Sequence, residues 1–201
     1  ALDAPGCGQS DRLAVWPVDW WKQYALQARG LVAQIGAQRC IVVGTSGGAI
    51  AALALAALAP EAVRAVVADS CVRRLSPARL REIVSVERAQ RTPGQSAFWQ
   101  AALGADWEQV IAADNQLMLA LAGSGGDMLA GCPLERIACP VLFTCSRQDS
   151  ALPDADQQQL DLARSVRAGR VYIHDTGDHP LMWSEPSVFR AVADVFLSGL
   201  T

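Results

Sequence analysis

The fold turns on Cys40-Ile41-Val42-Val43-Gly44-Thr45-Ser46-Gly47-Gly48-Ala49-Ile50. Its opening is a short apolar, β-branched run, which predicts a buried strand. The Ala/Leu run from Ala49 to Ala59 predicts a helix. Between them lies the spacing Gly-x-Ser-x-Gly, Gly44 to Gly48. A strand that passes into a helix within so few residues holds its central residue in strained backbone geometry. The flanking positions must then be small. The turn pushes the Ser46 hydroxyl out of the sheet at the start of a helix. There the backbone N–H groups and the helix dipole favour negative charge. This is the pattern of a nucleophile-bearing turn, with the Gly47 N–H directed at an oxyanion formed beside Ser46.

The whole chain has 201 residues, 51% of them hydrophobic, enough for one globular domain with a sizeable core. A formal net charge of −3 gives no electrostatic case for nucleic acid. No basic cluster points to a membrane surface. The apolar run 49–59 is too short to span a bilayer. The opening Ala1-Leu2-Asp3-Ala4-Pro5-Gly6 does not resemble a signal peptide. The six cysteines (Cys7, Cys40, Cys71, Cys132, Cys139, Cys145) show no C-x-x-C spacing. Reduced thiols in a cytoplasmic protein are therefore expected. With two histidines and no H-x-x-x-H pair, no metal site is expected.

Along the chain, residues 1–10 suggest the end of a strand running into a Gly/Pro loop braced by Asp3. Helical spacing runs from Trp20 to Gly36. Strands are expected at 63–68, 141–144 and 170–174, with helices at 154–166 and 185–197. Strands alternating with helices indicate a mostly parallel sheet covered on both faces, an α/β architecture. From 71 to 136 no strand is visible. Helical patterns at 77–90, 95–103 and 107–121 mark an insertion between two strands. Its Phe98, Trp99, Trp107 and Met118 are candidates for substrate contacts, as is Thr45 beside the turn. The plain alternative is that these residues only pack the insertion.

In parallel sheets, sites form at the carboxyl ends of strands. Ser46, Asp149 and His179 each fall just after an expected strand. The loop after Asp149 is expected to end at Pro153. A serine hydroxyl needs a base to take its proton. A histidine suits that task, with an acidic partner to fix its tautomer. Asp69, at another strand end, is the rival acid, and His174, inside a strand end, is expected to be structural.

These motifs together resemble the α/β-hydrolase superfamily. The resemblance is carried by Leu2-Asp3-Ala4-Pro5-Gly6-Cys7-Gly8-Gln9-Ser10, by Gly44-Thr45-Ser46-Gly47-Gly48, by Cys139-Pro140-Val141-Leu142-Phe143-Thr144 leading to Asp149, and by Gly177-Asp178-His179-Pro180-Leu181-Met182. The order Ser, Asp, His is that of the family. Two positions depart from it: Cys145 and Asp178 stand where the family often has glycine. The insertion resembles a helical cap, most similar to that of small carboxylesterases and of the valacyclovir-hydrolase or proline-iminopeptidase type. The resemblance implies a core of residues 1–70 and 137–201 with a cap at 71–136. It implies a cofactor-free serine hydrolase acting on a small-molecule ester, thioester or amide. Ser46, Asp149 and His179 would be catalytic and Gly47 an oxyanion donor. Acyl transfer, cofactor-free haloperoxidation and non-catalytic binding on the same fold stay open. The family also has three strands and a His-Gly loop ahead of the residue matched by Ala1. That loop supplies a second oxyanion donor, and one of those strands lies beside the strand at residue 40. The sequence is thus expected to be a piece of a longer protein.

Overall fold

The computed structural model describes residues 1–152 and 154–200. Pro153, the expected end of the loop after Asp149, and Thr201 lie outside them. Residue contacts divide the chain into two compact units. One comprises Ala1–Tyr24 and Arg74–Met128, the other Ala25–Arg73 and Leu129–Thr201. Helix α1, Trp20–Gln34, begins in the first and continues in the second.

The second unit is built on four parallel strands in the order β1-β2-β3-β4. They are β1 (Cys40–Thr45), β2 (Val63–Asp69), β3 (Val141–Ser146) and β4 (Gly169–His174). Register aligns the strand ends: Thr45 faces Asp69, and Asp69 faces Thr144. The β2 and β3 runs are buried almost throughout, as strands covered on both faces must be. Helix α2 (Gly47–Leu58) packs on β1 and β2. Its Ala-rich stretch 49–57 is entirely buried, and small side chains let the helix approach the sheet closely. On one face, Ala65, Val67 and Leu142 pack against Phe189, Ala193 and Phe196 of a C-terminal helix, Pro186–Ser198. Each fully buried side chain of the larger kind contributes about 1.5–3 kcal/mol. Along β1, Ile41 and Val43 are 44% and 52% exposed, so this edge strand has one apolar side open.

The first unit is helical from residue 74 on. Helix α3 (Pro77–Glu82) runs into a π-turn at Ile83–Glu87 and is followed by α4 (Pro93–Leu103) and α5 (Trp107–Gly123). Local chemistry sets the starts. Ser76 accepts the Arg79 N–H ahead of Pro77. Thr92 and Gln95 form a reciprocal capping box ahead of Pro93. Residues 1–10 contain no strand, contrary to expectation. Their backbone groups go into turns, Cys7 N–H to Ala4 O and Ser10 N–H to Cys7 O. Asp3 braces this loop as expected, its carboxylate accepting the Gln9 N–H. The Arg12 guanidinium donates to the Gly8 carbonyl and pairs with Asp106.

In the second unit, α6 (Ala155–Ser165) covers β3 and β4. A short turn of helix, α7 (Leu181–Ser184), leads into the C-terminal helix, α8. Among the described residues no helix is long and apolar enough to cross a membrane.

Candidate active site

The turn after β1 folds as its glycines require. Ser46 has φ 52° and ψ −124°, a left-handed conformation unusual for a side-chain-bearing residue. At Gly44 a Cβ would run into the backbone carbonyl of Gly48, so no larger residue fits there. Gly48 has open space around it, so its lack of a side chain is not forced by crowding. The Ser46 side chain does not cap α2. It donates instead to Nε2 of His179 at 3.0 Å. The N–H groups of Gly47 and Gly48 open the helix, where no preceding turn supplies acceptors.

His179 is held from its other side. Its Nδ1 lies 2.8 Å from Oδ2 of Asp149. A carboxylate only accepts, so the ring proton sits on Nδ1 and Nε2 is left free to accept from Ser46. Asp149 is itself fixed, its side chain only 1% exposed. Its Oδ1 accepts the N–H groups of Ala151 at 3.1 Å and Leu152 at 2.8 Å. The three candidate residues thus form one hydrogen-bonded chain of hydroxyl, imidazole and carboxylate, and all three belong to the second unit.

The rival acid is engaged elsewhere. Asp69 is wholly buried, and its carboxylate accepts from Thr45, Thr144 and Ser70 hydroxyls and the Met182 N–H. Burial raises its pKa from the ordinary carboxylate value, with these bonds pulling the other way. Thr45, a candidate substrate contact, turns its hydroxyl to Asp69 at 2.9 Å. His174 ends β4 and shares a hydrogen bond with the Tyr172 hydroxyl. Phe98, Trp99, Trp107 and Met118 all lie in the first unit. Phe98 is exposed, and the rings of Trp99 and Trp107 are 5.8 Å apart, with Arg91 over Trp107.

Asp178 was not among the candidates. Its Oδ1 accepts the Ser150 N–H, the Ser150 hydroxyl and the His179 N–H, which ties the loop of His179 to the loop of Asp149. The Ser150 bonds, backbone first, hold its carboxyl below the ordinary value. The available signal was the carboxylate standing where the family often has glycine. All six cysteines are free. Burial pushes the Cys145 thiol up to about 12 and raises that of Cys71 further, so neither is a thiolate near neutral pH. Among the described residues no group of three or more His, Cys, Asp or Glu side chains could hold a metal ion.

The sequence matches the Alpha/beta hydrolase family over residues 1–192, and the chain belongs to that family. No curated protein matches it by sequence. Among solved structures it is similar to MGS-M2, an alpha/beta hydrolase enzyme from a Medee basin deep-sea metagenome library. The TM-score is 0.71 at 18% identity, covering 99% of this chain and 78% of that one. It is similar to the esterase RhEst1 from Rhodococcus sp. ECU1013, with TM-score 0.67, 18% identity and 99% and 79% coverage. Proline iminopeptidase from Mycobacterium smegmatis superposes with TM-score 0.61 at 17% identity, over 96% and 77% of the two chains. At such identities the likeness is one of fold.

Proposed function

We propose that this protein is a serine hydrolase that cleaves a small ester, thioester or amide through an acyl-enzyme. The observation that carries the reading is the continuous bond chain from Ser46 Oγ through His179 to Asp149. In this reading His179 Nε2 takes the Ser46 proton as the oxygen attacks the substrate carbonyl. The imidazolium then hands that proton to the leaving group. Asp149 fixes the tautomer and stabilises the positive ring. The tetrahedral oxyanion draws on the N–H of Gly47 at the start of α2, where the helix dipole favours it. Water, activated by the same histidine, releases the acid and restores Ser46. No cofactor enters these steps.

Residues 71–136 are proposed as the segment that selects the substrate, with Phe98, Trp99, Trp107 and Met118 as its apolar contacts. Support comes from the aromatic and thioether composition of that segment and from the family's use of an insertion there. Replacing these residues by Ala is expected to raise KM more than it lowers kcat. The main test is hydrolysis of p-nitrophenyl acetate by the wild type and by Ser46→Ala. A loss of about 10⁶-fold in kcat is expected for the variant. Equal rates for the two proteins would refute the reading.

A further inference from the structure

The buried carboxylate of Asp69 has no part in the steps above, yet its neighbours come from every segment that carries them. Two donors reach Oδ2: the hydroxyl of Thr45, which precedes Ser46, at 2.9 Å, and the N–H of Met182, three residues after His179, at 3.1 Å. Oδ1 takes the Thr144 hydroxyl at 2.7 Å, from the strand end that leads toward Asp149, and the Ser70 hydroxyl at 3.4 Å. The backbone joins in. Ser46 N–H donates to the Asp69 carbonyl at 2.8 Å. Ser70 Oγ accepts the Leu181 N–H at 2.9 Å. Ser70, like Ser46, has a positive φ, at 48°. Its own N–H is pinned to the Thr144 carbonyl at 2.7 Å, and that carbonyl also accepts from the buried Gln159 amide at 2.9 Å. Strain of this kind persists only where the surroundings over-determine it.

A carboxylate taken out of water is costly unless it is fully bonded. All its bonded partners here are neutral donors with fixed positions, so the group sets distances between the segments that supply them. We propose that Asp69 is a positioning residue: its carboxylate fixes the turn bearing Ser46 against the loop bearing His179 without touching substrate. The inference rests on the proposed hydrolase reading. Catalytic groups must hold their geometry to within about 0.5 Å, and a 1 Å misplacement costs about 10²-fold in rate.

The test is the rate at which a fluorophosphonate probe modifies Ser46, with kcat and KM for p-nitrophenyl acetate measured alongside. The variants are Asp69→Asn, Thr144→Val and Thr144→Ser, each checked for folding by circular dichroism. Thr144→Val keeps the shape and removes the hydroxyl, whereas Thr144→Ser restores it. Asp69→Asn and Thr144→Val should label about 10-fold to 10²-fold more slowly, with kcat reduced and KM unchanged. Thr144→Ser should label at the wild-type rate. Folded Asp69→Asn and Thr144→Val proteins that label at the wild-type rate would overturn the inference while leaving the hydrolase reading intact. If Asp69→Asn does not fold, the Thr144 pair decides in the same way. A wild type that is not labelled removes the hydrolase reading, and this inference with it.

Discussion

Replacing Asp149 by Asn changes no volume, yet the local bonds dictate a large effect. Oδ1 of Asp149 accepts two backbone N–H groups, those of Ala151 and Leu152. Neither can do anything but donate, so the amide oxygen of the asparagine must take that side. Its NH₂ then faces His179 Nδ1, which lies 2.8 Å from the present Oδ2. That nitrogen has to accept, and the ring proton moves to Nε2. Nε2–H would then point at the Ser46 oxygen, 3.0 Å away, and could not receive its proton. A wrong tautomer of this kind costs about 10⁴ in kcat. That corresponds to about 5.4 kcal/mol of barrier at 1.36 kcal/mol per tenfold. The two backbone bonds survive, so the melting temperature should stay close to that of the wild type. The assay is steady-state hydrolysis of p-nitrophenyl acetate across pH 6–9, paired with thermal melting. A folded Asp149→Asn protein that keeps a tenth or more of wild-type kcat would show that the tautomer of His179 does not limit turnover.

Gly44→Ala should yield little folded protein, because its Cβ meets the Gly48 carbonyl, whereas Gly48→Ala has room and should raise stability by about 0.5–1 kcal/mol; denaturant melts of both proteins check this. Phe143→Ala should cost about 3–5 kcal/mol in urea unfolding, since Phe143 is 0% exposed in the inner strand β3. Asp178 has a lowered folded pKa, so its bonds contribute stability that is present above the unfolded carboxylate value of about 3.9 and lost as pH falls through the folded value. The stability gap between wild type and Asp178→Asn should therefore be constant near neutrality and close in acid, as measured by pH-dependent urea melts.

Much of this was legible in the sequence because the signals were local. Apolar runs rich in Val and Ile at 40–43 and 63–67, and the apolar run Val-Leu-Phe at 141–143, form strands, and the Ala/Leu run after Gly48 forms the buried helix on them. Strand ends in a parallel sheet share an edge, which is why residues just after strands, Ser46, Asp149 and His179 among them, could be expected along one rim, where their side chains do meet. What was not legible depends on partners distant in sequence. Asp69 and Asp149 both follow strands, and only the presence of Thr45, Thr144 and Met182 around the first leaves the second to His179. The clamp at Asp178 required knowing that Ser150 lies opposite it. Residues 1–10 carry apolar and Gly/Pro signals suited to a strand end, but strands exist by pairing, and these backbone groups close turns on themselves. The grouping of residues 1–24 with 74–128 rests on contacts between segments far apart in the chain, such as Arg12 with Asp106.

In the proposed mechanism the Ser46 hydroxyl becomes the covalent carrier of the acyl group. Peptide mass spectrometry after exposure to a fluorophosphonate probe would show where the covalent group sits. A single adduct on the peptide containing Ser46, lost in His179→Ala, is the predicted result. An adduct on another residue, or none on the folded wild-type protein, would contradict it.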